Sequence, residues 1–283
     1  MKYLCIGLAP AIDATITLDH LPADGEVVKN VREEVVPGGK GLNVARWLAV
    51  RGADVCCCGF LGADDEALFA RELRKYGIGD LLTRVPGGTR RNEMVVTPER
   101  AFKLNRPAFP ILAERDCLLP DSLADFTVVI SGSLPCNFKG DHYARLIRKI
   151  RAAGARFIAL DASGKALEEG VGAKPDLIKP NTEECSGLVG FRLADAADFR
   201  RATEILHEKV PHVVISDGAA GCWFDGVLVK APEVEVADTT AAGDTLLAEY
   251  LYSGDATLAV KAGSAACTMP GGTPPPLDFL ARD

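Results

Sequence analysis

The sequence predicts an α/β fold in which a mostly parallel sheet is flanked by helices. Two observations carry this. Short apolar runs at Tyr3–Leu8, Asp54–Cys58, Thr127–Ser131, Arg156–Asp161, Asp176–Lys179 and His212–Ser216 are mostly continuous rather than alternating, as expected of strands covered on both faces. Between them lie stretches with the helical period, and this alternation argues for parallel strands joined by right-handed crossovers. Ligands of such folds sit at the carboxyl ends of the strands.

The helices follow from spacing and punctuation. In Asp141–Ala153, Asp141 is a plausible N-cap, Tyr143, Leu146, Ile147 and Ile150 recur on one face, and Gly154 can end the helix. Gly41–Arg51, Asp64–Tyr76, Asp195–His207, Ala242–Tyr252 and Ala256–Thr268 read similarly. Residues around 14–36 and 88–105 break the rhythm: polar and apolar side chains alternate and charges are frequent. They are expected to form half-exposed antiparallel strands, a small sheet projecting from the main domain and usable as a lid.

A chain of 283 residues suits one large α/β domain or two small ones. The net charge of −7 gives no global basic field for nucleic acid, so an anionic ligand must be held by a few local cations. The nine cysteines form no C-x-x-C pair; Cys56–Cys58 read as a buried strand, and scattered cysteines suit a reducing compartment. The opening MKYLCIGLAP is too short an apolar stretch for an export signal, and no run is long enough to span a bilayer. A cytoplasmic location is expected.

Two glycine-containing turns carry chemistry. In Asp238-Thr239-Thr240-Ala241-Ala242-Gly243-Asp244, small residues open a helix whose free amides can bind phosphate. Gly243 permits close backbone approach, and Asp244 stands in the first turn, where a carboxylate can accept a proton from an attacking hydroxyl or simply stabilise the helix. In Pro37-Gly38-Gly39-Lys40-Gly41-Leu42-Asn43, a flexible polar turn precedes a helix. It is neither a Walker A loop nor G-x-G-x-x-G, which disfavours a dinucleotide oxidoreductase.

Together these turns resemble the two glycine motifs of the ribokinase/phosphofructokinase-B carbohydrate kinases. Leu8-Ala9-Pro10-Ala11-Ile12-Asp13, Thr89-Arg90-Arg91-Asn92, Ser131-Gly132-Ser133-Leu134-Pro135, Asp161-Ala162-Ser163-Gly164, Lys179-Pro180-Asn181-Thr182-Glu183-Glu184 and Ser216-Asp217-Gly218-Ala219-Ala220-Gly221 follow in the same order. They are similar to segments of the 1-phosphofructokinase and tagatose-6-phosphate kinase branch. The resemblance implies one ribokinase-like three-layer α/β/α domain over 1–283, with a small β-sheet lid through which a homodimer could form.

The implied reaction is ATP-dependent phosphorylation of a ketohexose phosphate, with Asp244 as base and the backbone of Ala241, Ala242 and Gly243 over the transferred phosphate. By the same resemblance Asp13, Gly38, Gly39, Asn43 and Ser131 would line the sugar site. Lys40 and Arg90 would hold the phosphate already on the substrate, with help from Lys103 and Asn105. Lys179, Asn181, Ser216, Gly218, Gly221 and Gly243 would meet the nucleotide. Asn181 and Glu184 would organise Mg2+ through water, although an Asn with Glu three residues on is also a helix-capping arrangement. The rivals are a kinase of an unphosphorylated sugar or nucleoside and a silent sugar-phosphate sensor. The sensor is motivated by Ala241 where the family has Gly and by Glu249, a bulky group expected near the nucleotide side.

Overall fold

Successive side chains of the first strand, β1 (Lys2–Ile6), go to opposite cores: Tyr3 and Cys5 join one buried cluster, Leu4 and Ile6 the other. A strand apolar at both parities must be covered on both faces, and the rest of the chain supplies the cover. The computed structural model describes residues 2–29, 31–108, 111 and 117–281.

After β1 the chain forms β2 (Ala11–Thr17), β3 (Arg32–Gly38), α1 (Lys40–Val50), β4 (Asp54–Gly62), α2 (Glu66–Tyr76) and β5 (Gly79–Val85). There follow β6 (Arg91–Val96), β7 (Ala101–Leu104), β8 (Phe126–Ser131), α3 (His142–Ala152), β9 (Phe157–Asp161), α4 (Gly164–Gly172) and β10 (Leu177–Ile178). The last part holds α5 (Thr182–Val189), α6 (Ala196–His207), β11 (His212–Ser216), β12 (Cys222–Phe224), β13 (Val227–Val229), α7 (Ala242–Ser253) and α8 (Ala256–Ala266).

The main sheet has the order β13-β12-β11-β10-β9-β8-β1-β4-β5. All its pairs are parallel except β11–β12 and β12–β13, an antiparallel edge. Leu146, Ile147, Leu167, Cys185 and Phe199 place α3–α6 on one face, and Trp47, Phe69, Leu247 and Val260 place α1, α2, α7 and α8 on the other. This is the three-layer α/β/α arrangement. Cys57 and Cys58, adjacent in β4, belong one to each core, so they pack as small apolar side chains. Among the described residues no helix is long and apolar enough to cross a membrane.

The second sheet has the order β3-β2-β6-β7. It corrects the expectation of a wholly antiparallel unit, because β2 and β6 pair in parallel, with Asp13 opposite Asn92. Its strands begin at Ala11 rather than 14 and run to Gly38, and residues 18–29 form no strand. Asp141 stands at the N-cap of α3 without capping it; its carboxylate accepts a hydrogen bond from Arg145 at 2.7 Å instead.

Helix α7 begins in an unusual way. Its N-cap, Ala241, has φ 64° and ψ 1°, a left-handed conformation that costs a residue with a Cβ about 1–2 kcal/mol. Ala241→Gly would relieve that cost while freeing the unfolded chain by about 0.4–1 kcal/mol. The expected outcome is a protein more stable by up to about 1 kcal/mol, read as a higher urea midpoint with an unchanged slope. A lower midpoint would show that the Ala241 methyl makes a contact worth more than the strain.

Candidate active site

Strand β1 is where the chain's connections diverge: it has β4 on one side and β8 on the other. Such a switch point opens a crevice at the carboxyl ends of the strands. Here it is a cleft of about 420 Å³, walled by Gly7, Ser131 and Gly132 on the main sheet, by Asp13 and Asn92 on the small one, and by the N-termini of α1 and α7.

The floor is the first turn of α7. Helix geometry leaves its leading amides without intrahelical acceptors, and the dipole favours an anion there. An added Cβ at Gly243 would lie 3.2 Å from Lys179 Nζ, so that ammonium stands directly over the turn. Asp244 is 5% exposed and accepts a 2.8 Å hydrogen bond from Asn43 Nδ2. Burial pushes its carboxyl up to about 6, against the opposing pull of Lys40 and of the Asn43 amide.

Beside it lies a second carboxylate with the opposite behaviour. Asp161, at the end of β9, is 3.0 Å from Lys40 Nζ and 3.3 Å from Lys179 Nζ. Burial raises its carboxyl, but Lys179 and Lys40 outweigh that and hold it below the usual range. Lys40 is raised in turn, chiefly by the charge of Asp161.

The facing wall is built from the small sheet. Asp13 Oδ1 accepts from Asn92 Nδ2 at 3.0 Å, and burial lifts its carboxyl above the ordinary value. Gly38 is opposite Ala11 in the β2–β3 ladder, and a Cβ there would stand 1.9 Å from Asp13 Oδ2. Its missing side chain is the space Asp13 occupies. Arg90 donates from Nη2 to Ala9 O at 3.1 Å, while its Nε is buried without a hydrogen-bond partner. Lys103, on β7, reaches the other side of the cleft, 3.0 Å from Asp238 Oδ1 and 3.2 Å from Thr240 Oγ1.

The cleft therefore brings together Asp13, Gly39, Lys40, Asn43, Arg90, Lys103, Asn105, Ser131, Lys179, Ala241, Gly243 and Asp244. Gly38 and Ala242 do not line it, though their neighbours Gly39, Ala241 and Gly243 do. Asn181, Glu184, Ser216, Gly218 and Gly221 lie further along the same carboxyl edge and do not line it. Asn181 and Glu184 form a reciprocal capping box at the start of α5, with bonds of 2.8 and 2.9 Å. Gly221 has a packing role, since a Cβ would stand 2.1 Å from Val229 O across the edge hairpin. Glu249 corrects its expected position: fully buried, it accepts from Trp47 Nε1 at 2.7 Å and pairs with Arg51 at 3.1 Å, away from the cleft. Five positions past Asp244, it projects from a different face of α7.

Sequence reasoning gave no role to Asn92, Asp161, Asp238 or Arg46. A signal existed for Asp161: it ends a continuous apolar strand at the edge where ligands bind. Arg46 carried no such signal, being one cation in a helix, and is 2% exposed. Among the described residues no cluster of three His, Cys, Asp or Glu side chains could hold a metal directly.

The family model of the pfkB family carbohydrate kinases matches residues 2–274. The 1-phosphofructokinase of Rhodobacter capsulatus is 34% identical over 269 residues, covering 89% of this chain and 84% of that protein. The 1-phosphofructokinase of Haloferax volcanii is 33% identical over 250 residues, covering 86% and 80%. Among solved structures, phosphofructokinase-2 of Escherichia coli in complex with substrates and products superposes with a TM-score of 0.85 at 25% identity, covering 99% of this chain and 97% of that one. Ribokinase of Thermotoga maritima gives 0.78 at 21% identity, covering 99% and 98%, a likeness of fold. With a match running from the second residue nearly to the end, and relatives a third identical over most of their length, this chain belongs to the pfkB family of carbohydrate kinases.

Proposed function

We propose that this chain is a 1-phosphofructokinase: it transfers the γ-phosphoryl group of ATP to a hydroxyl of fructose 1-phosphate, or of a closely similar ketohexose phosphate, with Asp244 as base. The observation that carries the reading is the buried Asp244 carboxyl in the first turn of α7, bonded by Asn43 Nδ2, with Lys179 standing over the same turn. The names of the relatives support the substrate. The small sheet acts as a lid of the single kinase domain and as the surface for a homodimer, and the enzyme works in the cytoplasm.

The chemistry follows from the wall residues. Asp13 accepts hydrogen bonds from sugar hydroxyls, its rotamer fixed by Asn92, with Gly39, Asn43 and Ser131 alongside. Lys40 and Arg90 take the phosphate already present, and Lys103 and Asn105 close over it. The attacking oxygen gives its proton to Asp244 and forms the new bond to the γ-phosphorus, while the bond to the bridging oxygen breaks and ADP leaves. Lys179 and the amides of Ala241–Asp244 meet the charge spread over the transferred group, and Ser216, Gly218 and Gly221 border the rest of the nucleotide.

Asn181 and Glu184 fit a water-mediated Mg2+ site. Their capping bonds commit Asn181 Oδ1 and Glu184 Oε2, which leaves Glu184 Oε1 for a hydrated ion, and Mg2+ commonly binds through few carboxylates and several waters. When bound, the ion supplies charge neutralisation at the phosphates. The silent-sensor alternative loses its motives, because Glu249 faces away from the cleft and Ala241 adopts the left-handed turn that a glycine would take.

The first test is ADP release with Mg-ATP against free sugars and sugar phosphates. Turnover confined to a ketohexose phosphate is expected, with Asp244→Asn slower by about 10²–10⁴-fold and sugar-phosphate affinity nearly unchanged. Near-normal turnover in that variant would remove Asp244 from the role. A second concerns the phosphate: Lys40→Ala and Arg90→Ala should each weaken binding of the phosphorylated sugar by about 10–100-fold. Equal loss for free sugars would mean that these cations do not read the phosphate. The third is pH dependence. Asp244 must be ionised to accept the proton, and its carboxyl is raised to about 6, so kcat/KM should be level above that pH and fall about tenfold per unit below it. A level profile down to pH 5 would refute the assignment.

A further inference from the structure

Arg46 is one of the most deeply buried large side chains of the protein, yet it does not line the cleft. A buried ion pair is weak grounds for stability, since an apolar side chain of similar volume often does as well. Its contacts suggest another use. Nε donates to Glu72 Oε1 at 2.8 Å and Nη2 to Pro37 O at 2.5 Å, fixing the guanidinium between α2 and the end of β3. Nη1 donates to Asn43 Oδ1 at 3.1 Å and, more weakly, to Gly272 O at 3.4 Å.

The geometry points to Arg46 as a positioning residue for Asp244: by holding the carbonyl oxygen of the Asn43 side chain, it leaves only the amide NH2 to meet the carboxylate. The inference rests on Asp244 being the base. A guanidinium has donors and no acceptor, so only the oxygen of Asn43 can face it. The two side chains are three residues apart on α1 and therefore neighbours on one face. With the oxygen so held, Nδ2 lies 2.8 Å from Asp244 Oδ2. A carboxylate that accepts this N–H is favoured in its ionised form. Were the amide free to turn over, its oxygen would face Asp244, and only a protonated carboxyl could bond to it. The orientation of one amide thus separates a base that can take a proton from one that already holds it. Lys40, Lys179 and Asp161 also act on Asp244, and none of them touches Arg46.

The test reads Asp244 in the full chain without substrate, by 13C NMR titration of aspartate-labelled protein, the resonance assigned by its loss in Asp244→Asn. Arg46→Lys keeps the positive charge but removes the fork, and is expected to raise the Asp244 midpoint by about one pH unit. Gly272→Ala leaves both side chains in place, but its Cβ would stand 2.5 Å from Asn43 Oδ1 and 3.0 Å from Arg46 Nη1; it should shift the midpoint the same way. In Asn43→Ala protein, Arg46→Lys should move the midpoint no further. An unshifted midpoint in folded Arg46→Lys, or an equal shift with Asn43 absent, would overturn the inference. If Arg46→Lys does not fold, Gly272→Ala decides it by the same shift or its absence. In turnover, Arg46→Lys should lower kcat about tenfold at pH 5 and hardly at all at pH 8, with the sugar KM little changed. Should Asp244→Asn retain turnover, the base assignment falls, while the titration still reports on the amide lock.

Discussion

Helix α1 delivers its side chains to the cleft because its first turn lies against the backbone that follows β1. A Cβ at Gly41 would stand 2.7 Å from Gly7 N and 2.8 Å from Gly7 Cα, so no other residue at 41 permits that depth. From there one helix presents Lys40 to Asp161, Asn43 to Asp244 and Arg46 to Asn43. A turn later it presents Trp47 and Arg51 to Glu249. Helices α1 and α7 are therefore tied by buried polar contacts at two levels. The level nearer the cleft sets the state of Asp244; the deeper one fixes how α7 sits, because removing either partner would leave a buried group unpaired.

The two carboxylates at the cleft show how environment divides labour between identical groups. Asp161 and Asp244 are both buried, and both feel Lys40 and Lys179. Asp161 touches both ammonium groups and stays ionised, a fixed anion that holds two cations in place. Asp244 has a hydrogen bond from a neutral amide in place of a touching cation, and burial dominates. Titratable neighbours pushed in opposite directions mark the acid–base assignment. An acidic chain thereby keeps Lys40, Lys179, Arg90 and Lys103 pointed into one cleft, each against a carboxylate or carbonyl that an incoming anion can replace.

Much of this was legible in the sequence, for identifiable reasons. Buried parallel strands are continuous apolar runs, and β1, β4, β8, β9 and β11 stood out as such. Strand β5 did not, because Asp80 and Arg84 interrupt it and pair with each other at an edge. Helix α4 contains Gly164, Gly170 and Gly172, which conceal a helical period, and β12 and β13 are three residues each. At the site, the glycine turns marked where anions can approach. What the sequence withheld were the partners of the marked residues: Asn92 for Asp13, Asp161 for two lysines, Arg46 for Asn43. Each pair is distant in sequence or, for Arg46, disguised as an ordinary helix-surface cation.

The contacts of the small sheet bear on what would travel with it if it moved as a lid. The Asp13–Asn92 hydrogen bond lies within the β2–β6 ladder, so Asp13 and Asn92 travel together if the sheet shifts, while Pro37 O of β3 accepts from Arg46 of α1 and ties the sheet to the main domain. Lys103 on β7 meets Asp238, just ahead of α7, which also accepts from Thr240 and from Gly271 beyond α8. The Lys103 side chain is 47% exposed and that of Asp238 3%, so water reaches the pair from the lysine side only. Asp238 is itself kept by backbone amides whether or not Lys103 is present. An anion entering the cleft would compete for Lys103, while the amides of Thr240 and Gly271 keep hold of Asp238. The arrangement therefore favours a sheet in which Asp13 and Asn92 move as one unit, tied to the main domain at Arg46 and at Lys103.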